Sequence, residues 1–293
     1  MDNSDEVRTF LTTRRSRITP ERAGIIGGGR RRVAGLRREE VAMLAGVSTD
    51  YYAKMERGDV AGASPEVLDA LAAALQLDDA ETEHLHDLAR AAGPGVRRRR
   101  SPRAVTEVRP SLQRFLDAIT GSPAWVRNNR ADIVATNAIG DALMAPVIDD
   151  PVNQRNNARF CFLNPASRNF YPDWAAGADG LVASLRGAAG RDPHDKDLTG
   201  LIGELVTRSD DFRERWAAHD VRHHRAGVKR IRHPEVGDLE FEFEGVDIPD
   251  TPGWMMYVYT TAPGSPSEER VRLLGSLGAT RAAARTSATE TAV

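Results

Sequence analysis

A single cysteine, Cys161, is all the thiol the 293 residues carry, which excludes an intramolecular disulfide and a thiolate zinc cluster and leaves a buried bystander as its default role. Long apolar runs are missing as well. No stretch approaches the roughly 18 apolar residues of a membrane span. The opening MDNSDEVRTFLTTRRSR is charged where a signal peptide is apolar, so the cytoplasm is the expected location. There is no glycine-rich phosphate loop and no nucleophile elbow, so the expectation is a protein that is not an enzyme and takes no cofactor. Lysine is almost absent: Lys54, Lys196 and Lys229 are the only three among 40 basic residues. Any phosphate pairing therefore falls mainly to planar guanidinium forks, although genome composition alone can produce the same bias.

What is present is charge in blocks. The net charge of −2 hides residues 1–57, with twelve Arg or Lys against eight acids, residues 58–93, with one against eight, and residues 94–109, with six against one. The length suits two domains, and 41% hydrophobic content is enough for a core in each.

Residues 1–93 read as an all-α bundle of about five helices. Val7, Phe10 and Leu11 recur at helical spacing over Asp5–Arg17, Arg38–Ala45 is a second helix, and Thr49–Arg57 a third. Ser64-Pro65-Glu66 supplies an N-cap and a first-turn proline for a fourth, and Asp78 with Glu81 a capping box for a fifth, which Gly93-Pro94-Gly95 ends. Residues 94–109 form a basic linker. Residues 110–275 then read as an antiparallel sheet of about five strands with helices inserted between the second and third. The strands centre on Trp125-Val126, Ile133-Val134, Val228–Arg232, Leu239–Phe243 and Met255–Tyr259. Residues 276–293 are expected to be a disordered tail.

Arg38–Arg57 fits a helix-turn-helix. Ala42 is small where two helices approach closely, Gly46 sits where the turn needs positive φ, and Val47, Tyr52 and Met55 are apolar where the second helix packs on the first. With Ser48 as cap, helix geometry puts Thr49, Asp50, Ala53, Lys54 and Arg57 on the opposite face. Such a helix enters the major groove N-terminus first, so Thr49, Asp50 and Lys54 approach base edges, Tyr51 flanks the groove, and Ser48 and Arg57 complete the DNA-binding set. Arg30, Arg31, Arg32, Arg37 and Arg38 precede or open the motif as candidate phosphate contacts. Arginine at a helix N-terminus opposes the helix dipole, a cost a phosphate would offset. An αα-hairpin with solvated charges is the bland alternative.

The stretch Arg30–Val41, then Leu44–Ser48 and Asp50-Tyr51-Tyr52, resembles the XRE-type helix-turn-helix regulators with a C-terminal MmyB-like domain. The resemblance continues through Arg109–Leu112, Phe170–Trp174, His219-Asp220-Val221, His233-Pro234 and Ala262–Ser267. It departs where the family often has proline at Ala34, glycine at Ala131 and tryptophan at Thr136. It implies a PAS-like domain that binds a small apolar molecule, with fatty acids a proposed class. Trp125, Phe160, Phe162, Phe241, Tyr257 and Tyr259 are candidates to line its pocket or simply to fill its core. Arg155 and Arg159, four apart on an expected helix, share a face that could receive a carboxylate, with Asn137 or Asn156 as neutral donors; surface arginines are the alternative. His219, His223 and His224 lack a third-ligand spacing, and no metal site is expected.

The expected partners are double-stranded operator DNA, a small apolar or acidic ligand, and a second copy of the chain, since such regulators bind pseudo-palindromes as dimers with recognition helices about 34 Å apart or a multiple of that. Two other classes remain open, an enzyme with a DNA-binding appendage and a protein-binding module. Turnover would mark the first, and binding of a protein but no duplex the second.

Overall fold

A computed structural model of the chain describes residues 3–25, 31, 33–93, 108–218, 226–249 and 251–291, with backbone alone for 282–291. The chain divides into two compact units. One comprises Met1–Ser101, Arg186–Thr199 and Arg215–His223; the other comprises Pro102–Leu185, Gly200–Glu214 and His224–Val293. No described helix is long and apolar enough to cross a membrane.

In the N-terminal unit the five expected helices form: α1 (Asn3–Arg17), α2 (Arg38–Leu44), α3 (Thr49–Glu56), α4 (Pro65–Ala74) and α5 (Asp79–Ala92). Their apolar stripes meet in one core that includes Val7, Phe10 and Leu11 of α1, Val41 and Ala42 of α2, Tyr52 and Met55 of α3, Leu68 and Leu71 of α4, and Leu85 and Leu88 of α5. The caps are those the residue types dictate. Ser64 Oγ accepts from the Val67 amide at 3.4 Å ahead of Pro65, and Asp78 and Glu81 exchange side-chain-to-amide bonds of 2.8 and 3.1 Å.

In the C-terminal unit α6 (Pro110–Asp117) leads into β1 (Ala124–Arg127) and β2 (Ile133–Thr136). The helices α7 (Ala138–Leu143), α8 (Ala145–Ile148), α9 (Asn157–Leu163), α10 (Ser167–Phe170), α11 (Trp174–Arg191), α12 (Lys196–Arg208) and α13 (Asp210–Ala217) follow in chain order, residues 186–191, 196–199 and 215–217 of the last three being counted with the first unit. Then come β3 (Ala226–His233), β4 (Gly237–Asp247), β5 (Met255–Thr260) and α14 (Pro266–Thr291). The sheet is antiparallel throughout, in the order β2-β1-β5-β4-β3. Because strand side chains alternate between faces, register decides which residues meet. Trp125 opposite Tyr257, Phe243 opposite Tyr259 and Lys229 opposite Phe241 put the aromatic residues and two cations, Arg127 and Lys229, on one face. On the other face Ala124, Val126 and Met256 pack with Leu112 and Leu116 of α6 and with Ile248 and Trp254.

One expectation fails in the fold. Residues 276–291 are not a structureless tail; they prolong α14 without a break to Thr291. Alanine and arginine are strong helix formers, and the interspersed serines and threonines each cost only a fraction of a kcal/mol, roughly 0.5. Most of the basic linker (94–107) and His219, His223 and His224 lie outside the described residues.

Candidate functional site

The α2–α3 pair is built by its turn. Gly46, at φ 67°, receives no clash from a left-handed backbone, and the Val47 amide donates to Ala42 O at 3.0 Å while the Gly46 amide donates to Met43 O at 3.2 Å. These two bonds are a Schellman closure of α2. Ser48 then caps α3 by accepting from the Tyr51 amide at 3.1 Å, and α3 ends in the same way, with Gly58 at φ 103° and the Asp59 amide donating to Lys54 O. A helix of fixed length and orientation results. Tyr52, Met55 and Glu56 point inward; Thr49, Asp50, Lys54 and Arg57 are exposed, and Tyr51 and Ala53 are half-buried at the margin.

What holds α3 from beneath is a carboxylate that the sequence reading passed over. Glu56, 1% exposed, accepts from Arg15 Nε at 2.9 Å, Arg15 Nη2 at 2.7 Å, Thr12 Oγ1 at 3.1 Å and Arg38 Nε. Burial pushes its carboxyl up, and the hydrogen bonds and charges of Arg38 and Arg15 outweigh that and hold it below the usual range. The signal was available: an acid next to Met55 on the inward side of α3, with Arg15 and Arg38 on neighbouring helices.

This network changes the part assigned to the flanking arginines. Arg31 gives its fork to Glu40, at 2.8 and 2.7 Å, and Glu40 also accepts from the Arg37 amide at 2.6 Å, closing the first turn of α2. Arg37 meets Glu39 at 3.4 Å. Glu39, Glu40 and Glu56 therefore offset the arginines at the start of α2, which was the work expected of a phosphate. Arg38 and Arg37 stay exposed and Arg31 does not; Arg30 and Arg32 lie outside the described residues. Lys54 sits 3.3 Å from Asp59, both half-exposed, an ion pair of little energetic weight. Arg57, Thr49 and Asp50 have no side-chain partner among the described residues.

In the C-terminal unit a cavity of about 40 Å³ lies between the aromatic face of the sheet and the inserted helices. Its sheet wall is formed by Trp125, Arg127, Ile133, Lys229, Ile231, Tyr257 and Tyr259, and its helix wall includes Asn157, Cys161, Tyr171 and Leu181. The aromatic rings brace one another. Trp125 stacks on Tyr257 with centroids 5.9 Å apart and meets Tyr259 edge-on at 4.4 Å. The Arg127 guanidinium lies 4.9 Å from the Tyr257 ring centre, and the Lys229 ammonium 4.7 Å from that of Tyr171. Burial holds the Tyr171 phenol well above its ordinary range and, on the opposite charge type, pushes the Lys229 ammonium below its own.

Of the ligand residues expected from sequence, Trp125, Tyr257 and Tyr259 line this cavity; the others do not. Arg155 and Arg159 form no clamp. Arg155 precedes α9 with φ 56° and donates to Ile133 O at 3.3 Å, and Arg159 pairs with Glu204 at 2.9 Å, because Asn156, not Arg155, opens the helix. Asn156 is consumed as that N-cap and by bonds to Arg130 O and Asp132. Asn137 caps α7 at Gly140, accepts from the Ala124 amide and donates to Ile119 O and Ser122 O. Phe160 packs edge-on against Phe170 and Tyr171, Phe162 edge-on against Trp174 and Phe212, and Phe241 lies tilted against Tyr259. These fill the core. The cavity residues that the sequence reading missed, Arg127 and Lys229 above all, were legible from strand alternation, since each shares a face with an aromatic or aliphatic residue two positions away.

A capped helix pair with one exposed polar face, joined to a domain whose sheet and helices enclose a cavity, defines a DNA-binding transcription regulator. Comparison with known families agrees with that class: residues 28–85 match a helix-turn-helix domain, and residues 108–274, more than half of the chain, match the MmyB-like transcription regulator ligand binding domain. The chain belongs to the MmyB-like transcription regulators. No curated protein sequence matches it.

Proposed function

We propose that the protein is a one-component, non-enzymatic regulator that binds a pseudo-palindromic operator as a homodimer and whose DNA affinity is set by a small ligand in the C-terminal cavity. The observation that carries the DNA half of the reading is the division of α3 by face: Tyr52, Met55 and Glu56 anchor it, and Thr49, Asp50, Lys54 and Arg57 are left exposed along one side. Thr49 and Asp50, at the N-terminal end, meet base edges, Lys54 and Arg57 extend the contact toward phosphate, and Arg37 and Arg38 reach the backbone from α2. Arg31 is the exception among the expected contacts, since Glu40 accepts from both its terminal nitrogens and Gly35 O from one of them. A ligand acts only through a difference in affinity between DNA-competent and DNA-incompetent states, so regulation is a population shift.

Selection of bound duplexes from a random pool tests the reading. The expected result is an enriched inverted repeat with half-site centres about one helical turn, roughly 34 Å, apart or a multiple of it. Enrichment of a single unrepeated half-site would remove the dimer, and no enrichment at all would remove operator recognition.

A further inference from the structure

The outer face of the C-terminal sheet, the one turned from the aromatic cavity, is covered on one half only. Leu112 and Leu116 of α6 pack there with Ala124 and Val126 of β1 and Met256 of β5. On β3 and β4 the residues that alternate onto the same face stay exposed: Val228, at 61%, lies opposite Glu242, and Glu244 and Val246, the latter at 51%, continue the row along β4. Further along, Arg230 and Arg232 pair with Glu240 and Asp238 at 2.9 and 2.8 Å. Glu242 and Glu244 pair with no cation among the described residues.

The helix beside this strip has a second side. Ser111, Arg114 and Ala118 are exposed at i, i+3 and i+7 on the part of α6 turned from its own sheet, and Arg114 has no partner among the described residues. Phe115, 55% exposed, sits on the flank opposite Gln113. Gln113 reaches Thr136 O of β2 at 3.0 Å, so Phe115 faces the β5–β4 side, next to the uncovered strip. The height of α6 along the strands is fixed as well. Arg109 donates to Pro249 O at 3.1 Å at its start; past its end Asn137 donates to Ile119 O at 2.7 Å and accepts from the amide of Ala124, in the row Ala124, Val258, Glu244. Arg114 and Phe115 therefore stand between the end of β4 and the level of Glu244, alongside Val246.

We propose that this face is the interface between two copies of the chain, with α6 of each copy lying across the uncovered β3–β4 strip of the other. The inference rests on the reading of the protein as a homodimer and locates its contact. Both halves of one isologous contact are present on the same surface: an unpaired guanidinium beside an exposed ring, and two unpaired carboxylates beside exposed valines. A two-fold axis along the strands, midway between two facing sheets, sets the α6 helices side by side and preserves height. Phe115 of each copy then falls next to the axis, and Arg114 of each lies over the partner's Glu244. The small side chains of Ser111 and Ala118 admit the partner's sheet closely. An aromatic centre with charge pairs toward the rim is the usual anatomy of such a contact.

Analytical ultracentrifugation of the full chain without DNA tests the interface. Arg114→Glu and Glu244→Arg each set like charges against one another at both symmetric contacts, so each variant alone should raise the dimer dissociation constant at least about tenfold. An equimolar mixture of the two variants should dimerise within about threefold of wild type, because every contact then joins one carboxylate to one guanidinium. Mixing cannot repair a misfolded chain or an ion pair internal to one copy. Phe115→Ala should weaken the dimer by a further test of the same contact, again about tenfold. Variants that dimerise like wild type would overturn this interface and leave the homodimer to another face. Variants that are monomeric both apart and mixed would overturn it too. A wild-type chain that sediments as a monomer up to about 100 µM would also overturn it, and an inverted repeat among selected duplexes would still show pairing on the operator.

Discussion

Removing the Glu56 carboxylate should unseat the recognition helix without touching the face that reads DNA. Four donated hydrogen bonds converge on this one buried side chain, from Arg15 twice, Thr12 and Arg38, which joins α1, α2 and α3 at a single point. In Glu56→Ala the Arg15 guanidinium, only 14% exposed, loses its counter-charge and keeps one bond, to Leu36 O at 2.9 Å. Breaking a buried ion pair by deleting one partner costs about 3–5 kcal/mol, because the partner left behind is an uncompensated charge. For a unit of this size that corresponds to a melting shift on the order of 10–20 °C.

Glu56→Gln keeps the shape and part of the hydrogen bonding and should fall between wild type and alanine. The assay is hydrogen exchange of the α3 amides in the full chain alongside thermal unfolding, because exchange reports the N-terminal unit directly. Glu56→Ala melting within about 2 °C of wild type, with α3 amides equally protected, would refute the view that this carboxylate holds the helix. Arg38 makes the comparison informative. Its guanidinium is more than half exposed, so Arg38→Ala should destabilise far less than Glu56→Ala while weakening DNA binding.

Other expectations follow from the same unit. Gly58→Ala should destabilise by roughly 1–3 kcal/mol, since it combines a left-handed backbone at φ 103° with a Cβ that would lie 2.5 Å from Ser4 O; chemical denaturation measures it. Acid should act through His84. Burial, the largest influence, pushes its imidazole down to about 4, so the folded state keeps it neutral while the unfolded chain protonates near the ordinary value of about 6.5. A lowered folded pKa means that stability is complete above about 6.5 and is lost as pH falls from there toward 4, with a slope of up to about 1.4 kcal/mol per pH unit. His84→Leu should flatten the melting-temperature profile across that window, and an unchanged profile would remove His84 as its cause. Glu56, held below its ordinary range, loses its contribution only at still lower pH.

The helices and strands were legible where one physical signal dominated. Caps at Ser48, Ser64 and Asp78 and the alternation Leu239, Phe241, Phe243 each fix an element by local chemistry, and those elements stand where the residues put them. Reading failed where local chemistry offered two outcomes. Arg155 and Arg159 are four apart, yet Asn156 between them is a better N-cap than helix interior, so the helix starts two residues too late for both to share it. The tail beyond Ser276 is polar enough to look unstructured, yet its alanines and arginines favour a helix already begun at Pro266. The cavity was hidden for another reason. Trp125 and Tyr257 stand out by type, but Arg127 and Lys229 read as solvated charges until the strand register places them on the same face as those rings.

Asp50 gives the sharpest test of how α3 recognises its site, because its charge should act in opposite directions on affinity and on selectivity. It lies in the first turn of α3, where a carboxylate is favoured by the helix dipole by about 0.3–1 kcal/mol, so Asp50→Ala should lower stability slightly. Beside DNA the same charge repels phosphates, while an unpaired acceptor at a helix N-terminus in the major groove suits cytosine N4 and leaves other bases unsatisfied. Asp50→Ala should therefore bind scrambled duplex as tightly as wild type or more so, and discriminate less at one base pair, by about 1–3 kcal/mol. Lys54→Ala should do the reverse. It removes a cation, so it should weaken specific and scrambled duplex alike and reduce the salt dependence by about one counterion, with melting near wild type because the exposed pair with Asp59 contributes little. Binding of both variants to selected and scrambled duplexes at two salt concentrations separates the cases. If Asp50→Ala and Lys54→Ala weaken binding of scrambled duplex alike, α3 does not meet DNA by the face assigned to it.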